Sequence, residues 1–312
     1  MADKKSGKKL PLPQKIVYIF LVLFLFLTIA EGAGYNPVGW LRDRINSFFA
    51  PDCNDNLVVS FIDVGQGDCV LISCGGQNML IDCGESTEFD RVAAFLNSQG
   101  VKRIDVLAAT HPHSDHMGCM GDVVSNYDIG EIIMPHIDDS DIPTTRYYER
   151  FIDACSAKGL YINEAQLGST IKIGEAEAEI IAPNSLKYSG ANNYSMGIIL
   201  RHGSNSFLFT GDAEKLAEEE MLQSGRLQHV KVYKAGHHGS DTSSSEEFLK
   251  VVSPDYAVIM CGEGNSYGHP SPVIVDRLSE YARKIYRTDQ CGSIIFESDG
   301  STLQIRTERG IE

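Results

Sequence analysis

The chain has 312 residues, 43% of them hydrophobic and 22% charged, with a formal net charge of −15. Those proportions exclude a low-complexity, disordered chain, and an acidic body repels polyanions at long range, so composition does not favour nucleic acid as a partner. The eight cysteines include no Cys-x-x-Cys pair, which removes a zinc ribbon or a thioredoxin-like centre.

Residues 1–15 form a basic tail, with Lys4, Lys5, Lys8, Lys9 and Lys15 against Asp3. Ile16–Ala30 (IVYIFLVLFLFLTIA) then runs fifteen residues without a charge. As a helix it rises about 22 Å, short of a bilayer core of about 30 Å unless its flanks contribute. The lysines before it set the N-terminus in the cytoplasm. Residues 16–33 are therefore expected to be a transmembrane anchor, with the rest of the chain outside the cell membrane. A cleaved signal peptide, which would leave a secreted protein, and a buried helix are the alternatives. Residues 34–55 read as a linker and 56–312 as one folded domain.

Within that domain, Leu57–Val64 and Cys69–Ser73 read as strands joined by the Gly65-Gln66-Gly67 turn, and Asn78–Cys83 follows. Phe89–Gln99 has helical spacing, and Ile104–Ala109 is a short buried strand. Glu131–Met134 is the next strand and Arg146–Lys158 the next helix. Ser169–Ile173, Ala178–Ala182, Ser195–His202 and Ser206–Thr210 are strands, the last two flanking a hairpin turn. Ala213–Met221 and Pro272–Arg283 are helices, Val230–Lys234 and Tyr256–Met260 strands, and Ser293–Glu297 with Thr302–Arg306 a closing hairpin. Hairpins in both halves mixed with helices point to two packed sheets with helices outside, not to one parallel sheet.

The segment that carries chemistry is Thr110-His111-Pro112-His113-Ser114-Asp115-His116. Four imidazole or carboxylate donors within six residues, at the mouth of a strand, suit borderline cations such as zinc or manganese. His-x-His-x-Asp-His after a short strand resembles the signature of the metallo-β-lactamase superfamily. Phe207–Asp212 resembles that family's strand ending in a metal-bridging Asp, and Lys234–Ser240 its last ligand segment. Val64–Asp68, Asn265–Pro270 and Arg287-Thr288-Asp289 narrow the likeness to the metallo-hydrolase domain of the ComEC family of competence DNA-uptake proteins, as a stand-alone relative without the multi-span channel.

The resemblance implies an αββα sandwich of two mixed sheets, α/β in the α+β sense, with two divalent metal ions, zinc or manganese. It implies that His111 and His113 hold one metal, that Asp115, His116 and His237 hold the other, and that Asp212 bridges them. Superfamily members usually supply a third His to the first metal; Asn192-Asn193-Tyr194-Ser195 stands there instead, so either Asn193 or Ser195 leans on the metal through oxygen or water fills the gap. Asp115, His238 and His269 are the catalytic candidates, the two histidines for proton donation or phosphate contact. Asp82 is a candidate to orient a ligand His, with a turn role as the bland alternative. Asp63 and Asp68 flank a tight turn that would by itself account for them. Ser240 and Thr242 either contact a phosphoryl oxygen or cap the next helix.

The function so implied is an extracytoplasmic phosphodiesterase or nuclease related to DNA uptake, with a phosphoester as substrate, DNA among the candidates, and a separate uptake channel as partner. A strip of Lys231, Lys234, Arg277, Arg283, Lys284 and Arg287 is a candidate DNA contact, with a solvated face as the alternative. A small-molecule or cell-wall phosphoester hydrolase fits the acidic body better, and a non-catalytic metal-binding module is the alternative from another class.

Overall fold

Successive residues of the strands face different layers, and that alternation builds the fold. The computed structural model describes residues 56–310. The basic tail, anchor and linker expected over residues 1–55 lie outside the described residues. Among the described residues no helix is long and apolar enough to cross a membrane.

The strands in chain order are β1 (Leu57–Phe61), β2 (Val70–Cys74), β3 (Gln77–Ile81), β4 (Arg103–Ala108), β5 (Asp128–Met134), β6 (Ile162–Glu164), β7 (Thr170–Ile173), β8 (Ala176–Ala182), β9 (Gly197–His202), β10 (Asn205–Phe209), β11 (Val232–Lys234), β12 (Tyr256–Ile259), β13 (Lys284–Arg287), β14 (Ile294–Ser298) and β15 (Leu303–Thr307). The helices are α1 (Phe89–Ser98), α2 (Ser114–Met117), α3 (Met120–Asn126), α4 (Arg146–Lys158), α5 (Lys215–Gln223), α6 (Glu246–Val252), α7 (Pro272–Tyr281) and α8 (Thr288–Cys291). One sheet has the order β15-β14-β1-β2-β3-β4-β5-β6, the other β13-β12-β11-β10-β9-β8-β7. Both are mixed: pairs from β3 to β6 and from β10 to β13 are parallel, and the remaining pairs antiparallel.

Phe61, Ile72, Met79, Phe207, Phe209 and Val258 point into one core between the sheets. Their chain neighbours Ile62 and Leu71 pack outward with residues of α1, α3 and α4. Leu208 and Ile259 pack outward with residues of α5, α6 and α7 on the other side. The result is a four-layer αββα sandwich of the expected class. Elements missed by sequence reading are mostly short: β6, β13, α2, α3, α6 and α8 have three to seven residues each, too few to display a period.

Arrangement matters most at one end. β4, β10 and β11 deliver their C-terminal ends there, followed by the His111–His116 segment, Asp212 and the His237-His238 turn. Gly67 is needed at this end: with φ at +138°, a Cβ would stand 2.3 Å from the Asp115 carbonyl oxygen.

Candidate metal centre

α2 begins directly after His113 and carries Asp115 and His116. His111 and His116 are fully buried, and Asp212 nearly so. Nε2 of His111 lies 3.0 Å from Nδ1 of His113. Asp212 reaches this group because Gly211, at φ +51°, brings its loop against Thr110 and Ser195. Oδ1 of Asp212 stands 3.2 Å from His116 Nε2, while Oδ2 lies 3.9 Å from His111 Nε2, 3.6 Å from His237 Nε2 and 3.5 Å from His238 Nε2. His116 Nε2 and Asp212 Oδ1 are both buried and neither is in a hydrogen bond.

The His237-His238 turn is the least ordinary backbone of the site. Both residues are left-handed, at φ 49° and 54°, a region that costs a non-glycine residue on the order of 1–3 kcal/mol. Tertiary bonds hold it: Gly236 N–H donates to the Tyr233 hydroxyl (3.0 Å), His237 N–H to the Gly211 carbonyl (3.1 Å), and His238 Nδ1 pairs with the Met260 carbonyl (3.0 Å). The two imidazoles consequently diverge. His238 is buried, with Nε2 3.1 Å from Asp115 Oδ2. His237 sits at the rim, with Nδ1 2.9 Å from the Thr242 hydroxyl. Asp115, His116, Asp212 and His238 each offer a ligand atom within 4.8 Å of the others. The residue beside Asp115 and His116 is thus His238, where sequence resemblance placed His237.

Supporting groups surround this cluster. Asp82, itself at φ 58°, accepts from Thr110 N–H (2.8 Å) and Thr110 hydroxyl (2.6 Å), and pairs with His116 Nδ1 (2.7 Å). Asp68 stands 3.3 Å from His238 Nδ1 and forms an ion pair with Lys234. Lys234 Nζ also donates to the Gly211 carbonyl at 3.2 Å. Burial pushes the Asp212 carboxyl up, but His238 and His116 outweigh it and hold it well below the usual range. Burial pushes His116 down, and the carboxylates of Asp212, Asp82 and Asp115 more than reverse that; His238 is raised against its own burial by Asp212 and Asp68. Burial and the neighbouring His116 drive His111 the other way, well below the usual imidazole value.

Most of the remaining candidates have partners of their own. Ser195 Oγ accepts the Asp212 N–H (3.0 Å) and Asn193 Oδ1 the Glu214 N–H (3.2 Å). Both bonds position the Asp212 loop. Asp63 accepts from Gly65 N–H and faces Arg309 at 3.3 Å, lining a separate hollow with Arg91 and Phe95. Ser240 Oγ lies 3.1 Å from Thr242 Oγ1, the group that bonds His237. The basic strip is partly neutralised: Lys231 and Arg283 share Asp255, Lys234 pairs with Asp68 and Arg287 with Asp289. Lys234 is buried altogether, and a lysine in a strand gives no sequence signal that a distant carboxylate will bury it. His269 lies beside the cluster, its ring 5.5 Å from that of His237, with a buried Nδ1 that has no hydrogen-bond partner.

A family model for the metallo-β-lactamase superfamily matches residues 62–263. ComE operon protein 3 of Bacillus subtilis is 28% identical over 265 residues, which cover 79% of this chain and 34% of that protein. Competence protein ComA of Neisseria gonorrhoeae is 28% identical over 292 residues, covering 92% of this chain and 39% of that protein. The chain therefore spans little more than a third of either relative's length. The crystal structure of YhfI, a metallo-β-lactamase fold protein of Bacillus subtilis, superposes with a TM-score of 0.53 at 10% identity, covering 78% of this chain and 100% of that one. At that identity the likeness is one of fold.

Proposed function

This chain belongs to the metallo-β-lactamase superfamily, and we propose that it is a two-cation phosphodiesterase that acts on DNA outside the cell membrane in connection with uptake. One observation carries the metal dependence: His116 Nε2 and Asp212 Oδ1 face each other at 3.2 Å, buried and without a hydrogen bond. Orphaned polar atoms of this kind are costly unless something of opposite demand sits between them, and imidazole with carboxylate suits zinc or manganese. The DNA reading rests on the likeness to competence protein ComA, and the membrane anchor on the apolar run Ile16–Ala30.

The divergent turn fits each cation with its own residues. His111, His113 and His237 would hold one, with His237 supplying the third imidazole that no residue before Asp212 provides. Asp115, His116 and His238 would hold the other, and Asp212 would serve both. When bound, the cations supply a nucleophilic water at neutral pH and positive charge against the phosphoryl oxygens. Asp82 holds His116, and the Met260 carbonyl holds His238, each through Nδ1, leaving Nε2 directed at the cluster. His238 is thereby committed as a ligand. The proton for the leaving oxygen falls to His269, whose ring lies beside the cluster, 5.5 Å from that of His237.

The partly neutralised strip favours one second reading, hydrolysis of a smaller phosphoester. The full chain in detergent, assayed with bis-p-nitrophenyl phosphate and with labelled DNA in manganese and in zinc, separates the two. DNA cleavage abolished by His113→Ala is the expected result. Turnover of small esters alone favours the second reading, and metal uptake without turnover of either removes both.

A further inference from the structure

We propose that Tyr267 is a stacking platform for a nucleobase beside the metal centre. The inference takes its choice of ligand from the phosphodiesterase reading, but it stands on a separate set of observations. Tyr267 is 67% exposed, unusual for a large aromatic ring. It is not a stray surface residue. Its ring lies nearly parallel to that of His269, at 23° with centroids 5.8 Å apart. The His269 ring in turn is stacked on His238, at 29° and 6.4 Å. Three near-parallel rings therefore lead from the metal cluster to solvent, and Tyr267 is the outermost.

The loop that carries this ring is cross-tied by hydrogen bonds. Asn265 binds it four times: Nδ2 donates to the Gly262 carbonyl (2.9 Å) and the His269 carbonyl (2.5 Å), and Oδ1 accepts from the N–H of Tyr267 and of His269, both at 3.1 Å. Ser271 N–H then donates to the Gly239 carbonyl at 2.9 Å, tying the loop to the His237-His238 turn. A ring fixed before the ligand arrives loses little entropy on binding.

The charge distribution says what kind of ligand this ring suits. Four of the six cations in the candidate strip share three carboxylates, so surface charge supplies less of the affinity for a strand and an uncharged contact supplies more. Stacking on an aromatic face is independent of charge and tolerant of sequence, because every base has a π-face. A base on Tyr267 would leave its strand next to His269 and the cluster.

The test compares two ligands of equal charge, an oligothymidylate and an abasic strand of the same length, by fluorescence anisotropy on the full chain in detergent, at low salt with EDTA. The unmodified protein should bind the base-bearing strand about tenfold or more tightly than the abasic one. Tyr267→Ala should bring the two affinities together, and Tyr267→Phe should keep them apart. Equal affinities in the unmodified protein overturn the proposal. Equal loss on both strands in Tyr267→Ala also overturns it, since that marks a merely structural ring. Cleavage of the same strands in manganese is scored separately. Cutting without base preference leaves the phosphodiesterase reading and removes the platform; base preference without cutting does the reverse.

Discussion

The two ends of β10 both bury polar side chains, with opposite outcomes. At its start, Asn205 Nδ2 donates to Ser298 Oγ (2.9 Å) and to the Thr302 carbonyl (3.2 Å), and His202 Nδ1 pairs with the same hydroxyl at 2.9 Å. Protein partners meet these demands, and the β9–β10 hairpin is clipped to the β14–β15 hairpin. Beyond its other end, Asp212 Oδ1 and His116 Nε2 lie buried with no hydrogen bond at all. A buried histidine is thus no sign of function in itself. What marks this site is a facing pair of buried polar atoms, Asp212 Oδ1 and His116 Nε2, that the protein leaves unmatched.

That contrast can be broken or sharpened by experiment. The largest effect is expected from Asp212→Asn: loss of metal from the purified protein, read by elemental analysis, and a fall in turnover of more than about 100-fold, beyond the 10–100-fold typical of groups that only orient a ligand. Normal metal content in that variant would contradict the assignment. Adding zinc or manganese to chelated protein should stabilise it by about 2.7 kcal/mol at a hundred times the Kd, visible as a rise in Tm that Asp212→Asn abolishes. Asp82→Asn should cost about 10–100-fold in metal affinity while keeping the fold. Ser298→Ala, at the clipped end, should cost about 1–3 kcal/mol in denaturant unfolding and leave turnover per folded molecule unchanged.

A further effect is one of pH. His116 and His238 are held above the usual imidazole value by the carboxylates around them, so in the metal-free protein they keep protons that a cation must displace. Affinity measured by dye competition should therefore fall as pH drops, by roughly tenfold per unit for each proton displaced. Asn205→Ala should leave that slope unchanged, because the clipped end takes up no cation.

Much of this was legible in the sequence, for reasons of proximity. His111, His113, Asp115 and His116 lie within one strand-to-helix turn, and chain connectivity alone keeps them together. Phe207 and Phe209 on one side of β10 and Leu208 on the other show the period-two pattern that sorts residues between layers. Tertiary structure decided the rest. Which of two adjacent histidines faces Asp115 depends on left-handed backbone angles, and those are held by the Tyr233 hydroxyl and the Gly211 and Met260 carbonyls. Whether Lys234 meets solvent depends on Asp68, far earlier in the chain. A sequence states which donors exist; the direction each one points is set by hydrogen bonds between segments that only folding brings together.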